Sequence, residues 1–166
     1  MSSAIKVKIV ALIPARQGSE RIKNKNIVNF FSHPLLAYSI QSAIKSKLFE
    51  KVVVSTDSSK YRKIARYYGA EVPSLRPNKI SSSISSDYEW VNYTINLYKK
   101  KNINFTHFFI LRPTSPFRTA NTIKDAWKKY LKYRKCDSLR AVSLVKEHPG
   151  KMWKKKNNFI FPLMNK

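Results

Sequence analysis

The stretch Lys6–Asn26 reads KVKIVALIPARQGSERIKNKN, and it decides the fold. Its first part, Lys6–Pro14, is rich in Val, Ile and Leu and is nearly continuous in apolar character. Such a run is typical of a strand that is covered on both faces of a parallel sheet. The remainder, Pro14–Asn26, is polar and basic and has no periodicity, so it predicts a loop that leaves the carboxyl end of that strand.

Further strands and helices alternate along the rest of the chain. The predicted strands are Lys6–Pro14, Lys51–Thr56, Thr106–Leu111 and Ser138–Val145. The predicted helices are Pro34–Ile44, Ser58–Tyr68, Ser86–Lys99 and Thr122–Tyr133. Ser58, Ser86 with Glu89, and Thr122 with Asp125 suit helix starts, and Gly69 suits a left-handed helix end. This alternation predicts an α/β fold with a mainly parallel sheet flanked by helices.

Length and composition set the domain organisation and the broad class. The 166 residues suit a single domain over residues 1–150, followed by a Lys-rich tail, residues 151–166, that we expect to be irregular and mobile. One cysteine, Cys136, permits no intramolecular disulfide and favours a cytoplasmic location. No run approaches the roughly 20 apolar residues of a membrane span, so we expect no membrane association.

The charge of the chain allows two interpretations. Thirty-three basic and nine acidic residues give a net charge of +24, which suggests a polyanionic partner such as nucleic acid. The alternative is a solvated lysine-rich surface, because the basic clusters fall mainly on helix backs and loops. The aromatic residues form no interleaved basic stripe of the kind that binds single strands, so a nucleic-acid partner is disfavoured.

Three polar loops leave the carboxyl ends of the predicted strands, where α/β sheets bind ligands. The first holds the basic residues Arg16, Arg21, Lys23 and Lys25, with Gly18 and Ser19 at a turn, and such a loop could cradle phosphates. Its sequence matches neither the P-loop nor the GxGxxG pattern. Arg16 and Lys25 could meet across one anion, although a solvated basic loop would have the same composition.

The other two loops offer further polar groups. Asp57 could ligate a divalent metal or cap the following helix. The segment Leu111–Thr119 carries Arg112, Thr114, Ser115 and Arg118 together with two prolines that stiffen the loop, which suits an anionic or polyhydroxy ligand or else a structural turn. Arg76 adds a further cation. The three histidines lack metal-ligand spacing, and no GxSxG elbow is present.

Four motifs carry a resemblance to a known family. IPARQGSERIKNKN (13–26), VVVSTDS (52–58), GAEVPSLRP (69–77) and LRPTSPFRT (111–119) resemble the acylneuraminate cytidylyltransferases, or CMP-sialic acid synthetases. DSLRAVSLVKEHPGKMW (137–153) resembles one bacterial branch of them. The resemblance implies a Rossmann-like fold of the nucleotide-diphospho-sugar transferase type. It also implies transfer of CMP from CTP to a 2-keto sugar acid, such as sialic acid, legionaminate or pseudaminate, with release of pyrophosphate and help from Mg²⁺.

The same resemblance assigns roles to residues. Arg16 and Lys25 would be the catalytic residues that hold the CTP phosphates. The nucleotide site would comprise Arg16, Ser19, Arg21, Lys25, Asn26, Arg76 and Asp87, and the sugar site would comprise Arg112, Thr114 and Ser115. Asp57 is the metal candidate. Arg112 stands where sialate-specific members have glutamine, so the sugar need not be N-acetylneuraminate.

The resemblance also raises a question of length. Family members continue through a further segment that supplies sugar-binding side chains, dimer contacts and an aspartate pair for Mg²⁺. We therefore expect a C-terminally truncated chain that is either inactive alone or completed by a second chain, and a homodimer in full-length members. The alternatives are a non-catalytic basic protein that binds anions or nucleic acid and, among the enzymes, a Kdo-type cytidylyltransferase.

Overall fold

A computed structural model describes residues 6–19, 22–133, 136–143, 150, 152–157 and 159–164. The chain forms two compact units, residues 1–132 and residues 133–166. The domain boundary expected at residue 150 stays a prediction. Within the described residues, no helix is both long and apolar enough to cross a bilayer.

The first unit is built on a three-stranded parallel sheet. Its strands are β1 (Ile9–Pro14), β4 (Lys51–Ser55) and β5 (His107–Ile110), in the order β4-β1-β5. Leu12 of the central strand pairs with Val53 on one side and Ile110 on the other. This confirms the predicted parallel sheet and its first three strands, within two or three residues at each end.

Helices cover both faces of this sheet. They are α1 (Leu35–Ser46), α2 (Ser59–Tyr67), α3 (Asp87–Lys99) and α4 (Ala120–Lys132). Successive side chains of a strand point to opposite faces of the sheet, so β1 contributes residues to two hydrophobic cores. Ala11 and Ile13 pack with residues of α1, α2 and α4, whereas Val10 and Leu12 pack with Trp90 and Tyr98 of α3. The result is a three-layer α/β arrangement, as predicted.

The helix ends confirm most of the predicted caps. The Ser58 hydroxyl accepts a hydrogen bond from the backbone of Tyr61, and Ser86 and Glu89 form a reciprocal capping box. Gly69 has a φ of +91°, the left-handed conformation that favours glycine at a helix end. The start of α4 was predicted wrongly at Thr122, because Thr119 accepts the bond from the Thr122 backbone and the helix begins at Ala120.

Some short elements were not predicted. A small hairpin joins β2 (Asn29–Phe30) to β3 (His33–Pro34), so α1 begins at Leu35. Strands of two residues are too short to leave a periodic pattern. Two turns of 3₁₀ helix, Lys25–Ile27 and Asn78–Ile80, were also not predicted.

The second unit differs from the prediction in two places. The tail predicted as irregular forms an antiparallel hairpin of β6 (Trp153–Lys156) and β7 (Phe159–Pro162), with Asn157 in the left-handed turn conformation that asparagine tolerates. The strand predicted over Ser138–Val145 was wrong for residues 138–143. Those residues are exposed and pair with no strand among the described residues; residues 144 and 145 lie outside them. The mobility of the tail stays a prediction.

Candidate functional site

A cleft of about 560 Å³ lies at the carboxyl ends of the strands of the first unit. The loop after β1 supplies Pro14, Arg16, Ser19, Lys25 and Asn26. The segment after α2 and the start of α3 supply Arg76, Ser82, Ser83, Ser85, Asp87 and Trp90, and the loop after β5 supplies Arg112, Pro113 and Thr114. The described lining therefore holds four cationic side chains against one carboxylate. Such a cleft suits an anionic ligand.

Arg76 is the most firmly held of these cations. Its side chain is 6% exposed, its Nε donates to the Ser55 hydroxyl at 3.2 Å, and its Nη2 donates to the Ser55 carbonyl at 2.9 Å. Its guanidinium lies 5.3 Å from the centre of the Trp90 ring, a cation–π contact. Its backbone N–H donates to the Thr56 carbonyl at 2.7 Å, which ties this segment to the end of β4.

The charge of Arg76 persists despite this burial. The pKa of Arg76 is lowered to about 10, chiefly by burial; the charges of Asp57 and Asp87 act to raise it, and the charge of Arg16 acts to lower it. A pKa near 10 still leaves the guanidinium charged at neutral pH. The part of the lining formed by Arg76 and Trp90, here called the cleft floor, therefore carries a fixed positive charge next to an aromatic ring.

The loop after β1 is held in shape by its own polar contacts. Arg16 Nη1 donates to the Gly18 carbonyl at 3.1 Å, where Gly18 has a φ of +73°. The buried Asn26 side chain donates to the Arg16 carbonyl at 3.1 Å. From the neighbouring loop, the Asp57 carboxylate accepts from the Gln17 backbone N–H at 2.7 Å. These contacts hold Arg16 and Lys25 at one edge of the same cleft.

An ion pair joins the two opposite walls. Arg112 donates to the Asp87 carboxylate, and the other oxygen of Asp87 accepts from the indole N–H of Trp90 at 2.9 Å. Arg112 comes from the loop after β5, whereas Asp87 and Trp90 belong to the first turn of α3. Both charged side chains are about half exposed, so a ligand in the cleft can reach them.

Comparison with known proteins identifies the family. A family model described as cytidylyltransferase matches residues 10–152. The chain belongs to the cytidylyltransferase family. It is 39% identical over 139 residues to an N-acylneuraminate cytidylyltransferase of Escherichia coli, a match that covers 84% of this chain and 32% of that one. It is 35% identical over 125 residues to a pseudaminic acid cytidylyltransferase of Campylobacter jejuni, a match covering 75% of this chain and 54% of that one.

A solved structure supports the fold. The chain resembles a CMP:2-keto-3-deoxy-manno-octonic acid synthetase that was solved with CTP, at a TM-score of 0.62 and 17% identity. The likeness covers 76% of this chain and 48% of that one. The nucleotidyltransferase type of Rossmann-like fold is thereby confirmed. The chain spans about a third to a half of the length of these relatives.

The structure brings most of the predicted site residues together. Those that line the cleft are Arg16, Ser19, Lys25, Asn26, Arg76, Asp87, Arg112 and Thr114. Ser115 is exposed and lies outside the described lining; the partly buried Asp57 side chain also lies outside it and holds the first loop instead. Arg21 lies outside the described residues. The roles assigned to all of these residues stay predictions.

Sequence reasoning missed one wall of the cleft. Ser82, Ser83 and Ser85 line it, together with Trp90. The Ser82 and Ser85 hydroxyls lie 2.8 Å apart. A usable signal was present, because this serine-rich loop runs directly into the capping box of α3 and so had to end beside Asp87. Trp90 gave no such signal, since an aromatic residue at helical spacing also suits a core.

The described residues include no cluster of three or more Asp, Glu, His or Cys that could hold a metal alone. Asp87 is the one carboxylate in the described lining. Mg²⁺ commonly binds one or two carboxylates together with the phosphates of a substrate. This donor set therefore fits a Mg²⁺ ion that arrives with a nucleotide, rather than one held by the protein beforehand.

Proposed function

We propose that this chain carries the nucleotide half of an enzyme that transfers CMP from CTP to a 2-keto sugar acid. The observation that supports this most directly is the cleft in which Arg16, Lys25, Arg76 and Arg112 converge. A triphosphate carries several negative charges in a small volume, and fixed cations in a partly closed cleft stabilise it strongly. The names of the relatives, which include N-acylneuraminate and pseudaminic acid cytidylyltransferases, indicate the class of acceptor.

In the proposed reaction a hydroxyl of the sugar acid attacks the α-phosphorus of CTP. A new phosphorus–oxygen bond forms to the sugar, and the bond to the β-phosphate bridging oxygen breaks, so pyrophosphate leaves and the hydroxyl proton passes to solvent. Arg16 and Lys25 would neutralise the charge that builds up on the phosphate oxygens. When bound, Mg²⁺ would supply further neutralisation of phosphate charge, with Asp87 as its available carboxylate.

The remaining cleft residues divide between the two substrates. Arg76 and Ser19, with Asn26, would face the nucleotide, and Asp87 would mark the boundary between the two subsites. Arg112 and Thr114 would face the sugar acid, with Arg112 offering a guanidinium to its carboxylate. We further propose a homodimer in the whole protein and a cytoplasmic location, where CTP is available.

The decisive experiment is calorimetric titration of the chain with CTP and with ATP, each with Mg²⁺, at moderate salt. We expect binding that prefers CTP, and we expect Arg16→Ala to weaken it by about 1.5–3 kcal/mol, the range for hydrogen bonds to charged groups. Lys63→Ala is the matched control, because it removes a positive charge from an exposed position on α2.

Three results would contradict the proposal. Equal losses in both variants would assign binding to net charge, and a steep fall of affinity with salt without base preference would favour a general anion or nucleic-acid binder. No CTP binding by the wild-type chain would reject a nucleotide site in this unit. If CTP binds, the next experiment is an assay of CMP transfer with N-acetylneuraminate, pseudaminate, legionaminate and Kdo as acceptors. This assay also distinguishes a Kdo-type cytidylyltransferase from the other enzymes.

A further inference from the structure

Arg118 lies beside the cleft without lining it, and neither the fold nor the proposed reaction has yet used it. It belongs to the loop between β5 and α4, six residues after Arg112. Its side chain is half-buried, and one terminal nitrogen, Nη1, is buried without a hydrogen-bond partner among the described residues. An unpartnered buried cationic nitrogen is costly, so its presence requires a reason.

Two contacts of Arg118 lead to the loop that carries the cleft wall formed by residues 112–114, here called the Arg112 wall. Arg118 Nη2 donates to the Arg112 carbonyl at 3.2 Å, and the Arg118 backbone N–H donates to the Ser115 carbonyl at 3.2 Å. On the other side, the Ser42 hydroxyl of α1 donates to the Arg118 carbonyl at 2.7 Å. Arg118 thus connects the Arg112 wall to a helix of the core.

The Arg112 carbonyl has hydrogen-bond donors other than Arg118. It also accepts from the Ser39 hydroxyl at 3.3 Å and from the Ser115 backbone N–H at 3.3 Å. Burial lowers the pKa of Arg118, and no carboxylate pairs with it within the described residues. Buried charges can often be replaced by apolar side chains of similar size without loss of stability. Stability alone therefore gives no reason for an arginine here.

We propose that Arg118 is a positioning residue for the acid substrate: its guanidinium fixes the Arg112 carbonyl and so aims the Arg112 side chain across the cleft at Asp87. This inference rests on the proposed function, because the carboxylate of a sugar acid is the ligand that Arg112 would meet. The buried positive charge behind the wall adds favourable potential for that carboxylate. Its cost in the free protein is then offset when an anion binds, as in other preorganised sites.

The test uses the full chain without ligand and follows the indole N–H signal of Trp90 by NMR. This N–H donates to Asp87, which also accepts from Arg112, so the signal reports on where Arg112 lies. Trp90→Phe identifies the signal among those of the three tryptophans. We expect Arg118→Met to shift it in the same direction as Arg112→Met does, and Arg118→Lys, which keeps the charge and a donor, to restore part of the shift.

A matched control and a stability measurement separate positioning from a structural role. Lys129→Met removes an exposed cation of α4 and should leave the Trp90 signal unchanged. The urea midpoint of Arg118→Met should equal or exceed that of the wild type. A lower midpoint would overturn the proposal, because it would assign Arg118 to stability.

Two further results would overturn it. Either the Trp90 signal stays at its wild-type position in Arg118→Met, or Arg112→Met fails to move that signal, so that Arg112 does not reach Asp87 in solution. Neither result depends on nucleotide. A failure of the proposed function itself would appear separately, as an absence of CTP binding to the wild-type chain.

Discussion

At the scale of single residues, Arg76 shows why arginine and lysine are not equivalent. One side chain donates twice to Ser55, lies over Trp90 and still borders the cleft. A lysine could keep the charge, but its ammonium cannot reproduce two donors in a fixed plane or the flat stacking of a guanidinium. The same side chain of Arg76 thus stabilises this part of the cleft and supplies its positive charge.

We therefore expect Arg76→Lys to lower the free energy of unfolding by about 2 kcal/mol, in the range for lost hydrogen bonds to a charged group. Urea denaturation of the two proteins measures this difference. Arg62→Lys is the control, because its side chain makes no hydrogen bond within the described residues, and it should stay within about 0.5 kcal/mol of wild type. A loss of the same size in both variants would contradict the role of the Ser55 contacts.

The sequence could anticipate the residues of the cleft better than their contacts. Arg16 and Arg112 each follow the end of a predicted strand. Because parallel strands present their carboxyl ends at one edge of the sheet, this position predicted that the two cations would lie near each other. The pairing of Arg112 with Asp87 could not be read from the sequence, since it joins residues 25 positions apart through the geometry of two loops. The same holds for the buried nitrogen of Arg118.

At the scale of elements, Glu71 joins β4 and α3. Its backbone bonds to Val52 and Val54, and its carboxylate accepts from Lys51 at 2.6 Å and from the Tyr98 hydroxyl at 2.7 Å. Burial acts to raise the pKa of Glu71, but these hydrogen bonds and the nearby lysines outweigh it, so the pKa lies below its ordinary value of 4.5. Burial and the Glu71 carboxylate raise the pKa of Tyr98 in turn.

The lowered pKa of Glu71 predicts how the stability of the fold depends on pH. A carboxylate whose pKa is lower in the folded state stabilises that state above its unfolded pKa, and the contribution is lost as the pH falls through the folded pKa. We expect the wild type to lose stability below about pH 4.5 more steeply than Glu71→Gln does, in denaturation measured at a series of pH values. Glu50→Gln removes a carboxylate but keeps the Lys51 and Tyr98 contacts, so it should retain the steeper wild-type slope.

The helices and strands of the first unit were predictable because each has a local signal that agrees with its packing. Apolar runs predicted β1 and β4, and capping residues predicted the starts of α2 and α3. The strand prediction was wrong for residues 138–143 because the local signal there does not agree with the packing. The apolar pattern of these residues resembles a strand, but a strand also needs a hydrogen-bonding partner, which the sequence of that segment does not specify.

At the scale of the whole molecule, the two units differ in how their apolar residues are covered. The first unit buries alternate faces of one sheet under four helices. In the second, the residues of β6 and β7 are all exposed, including Trp153, Phe159 and Ile160. An isolated two-stranded hairpin is at best marginally stable in water, because it buries little apolar surface.

We therefore predict that backbone amides of β6 and β7 exchange with solvent much faster than those of Val52–Val54 in the central sheet. Local opening of a hairpin costs little free energy, whereas exposing β4 requires near-global unfolding. Amide hydrogen exchange followed by NMR or mass spectrometry compares the two segments in one sample, with the exposed α4 amides as an intermediate reference. Equal protection would contradict the expected mobility, and it would mean that the apolar side chains of the hairpin are covered by another surface in solution.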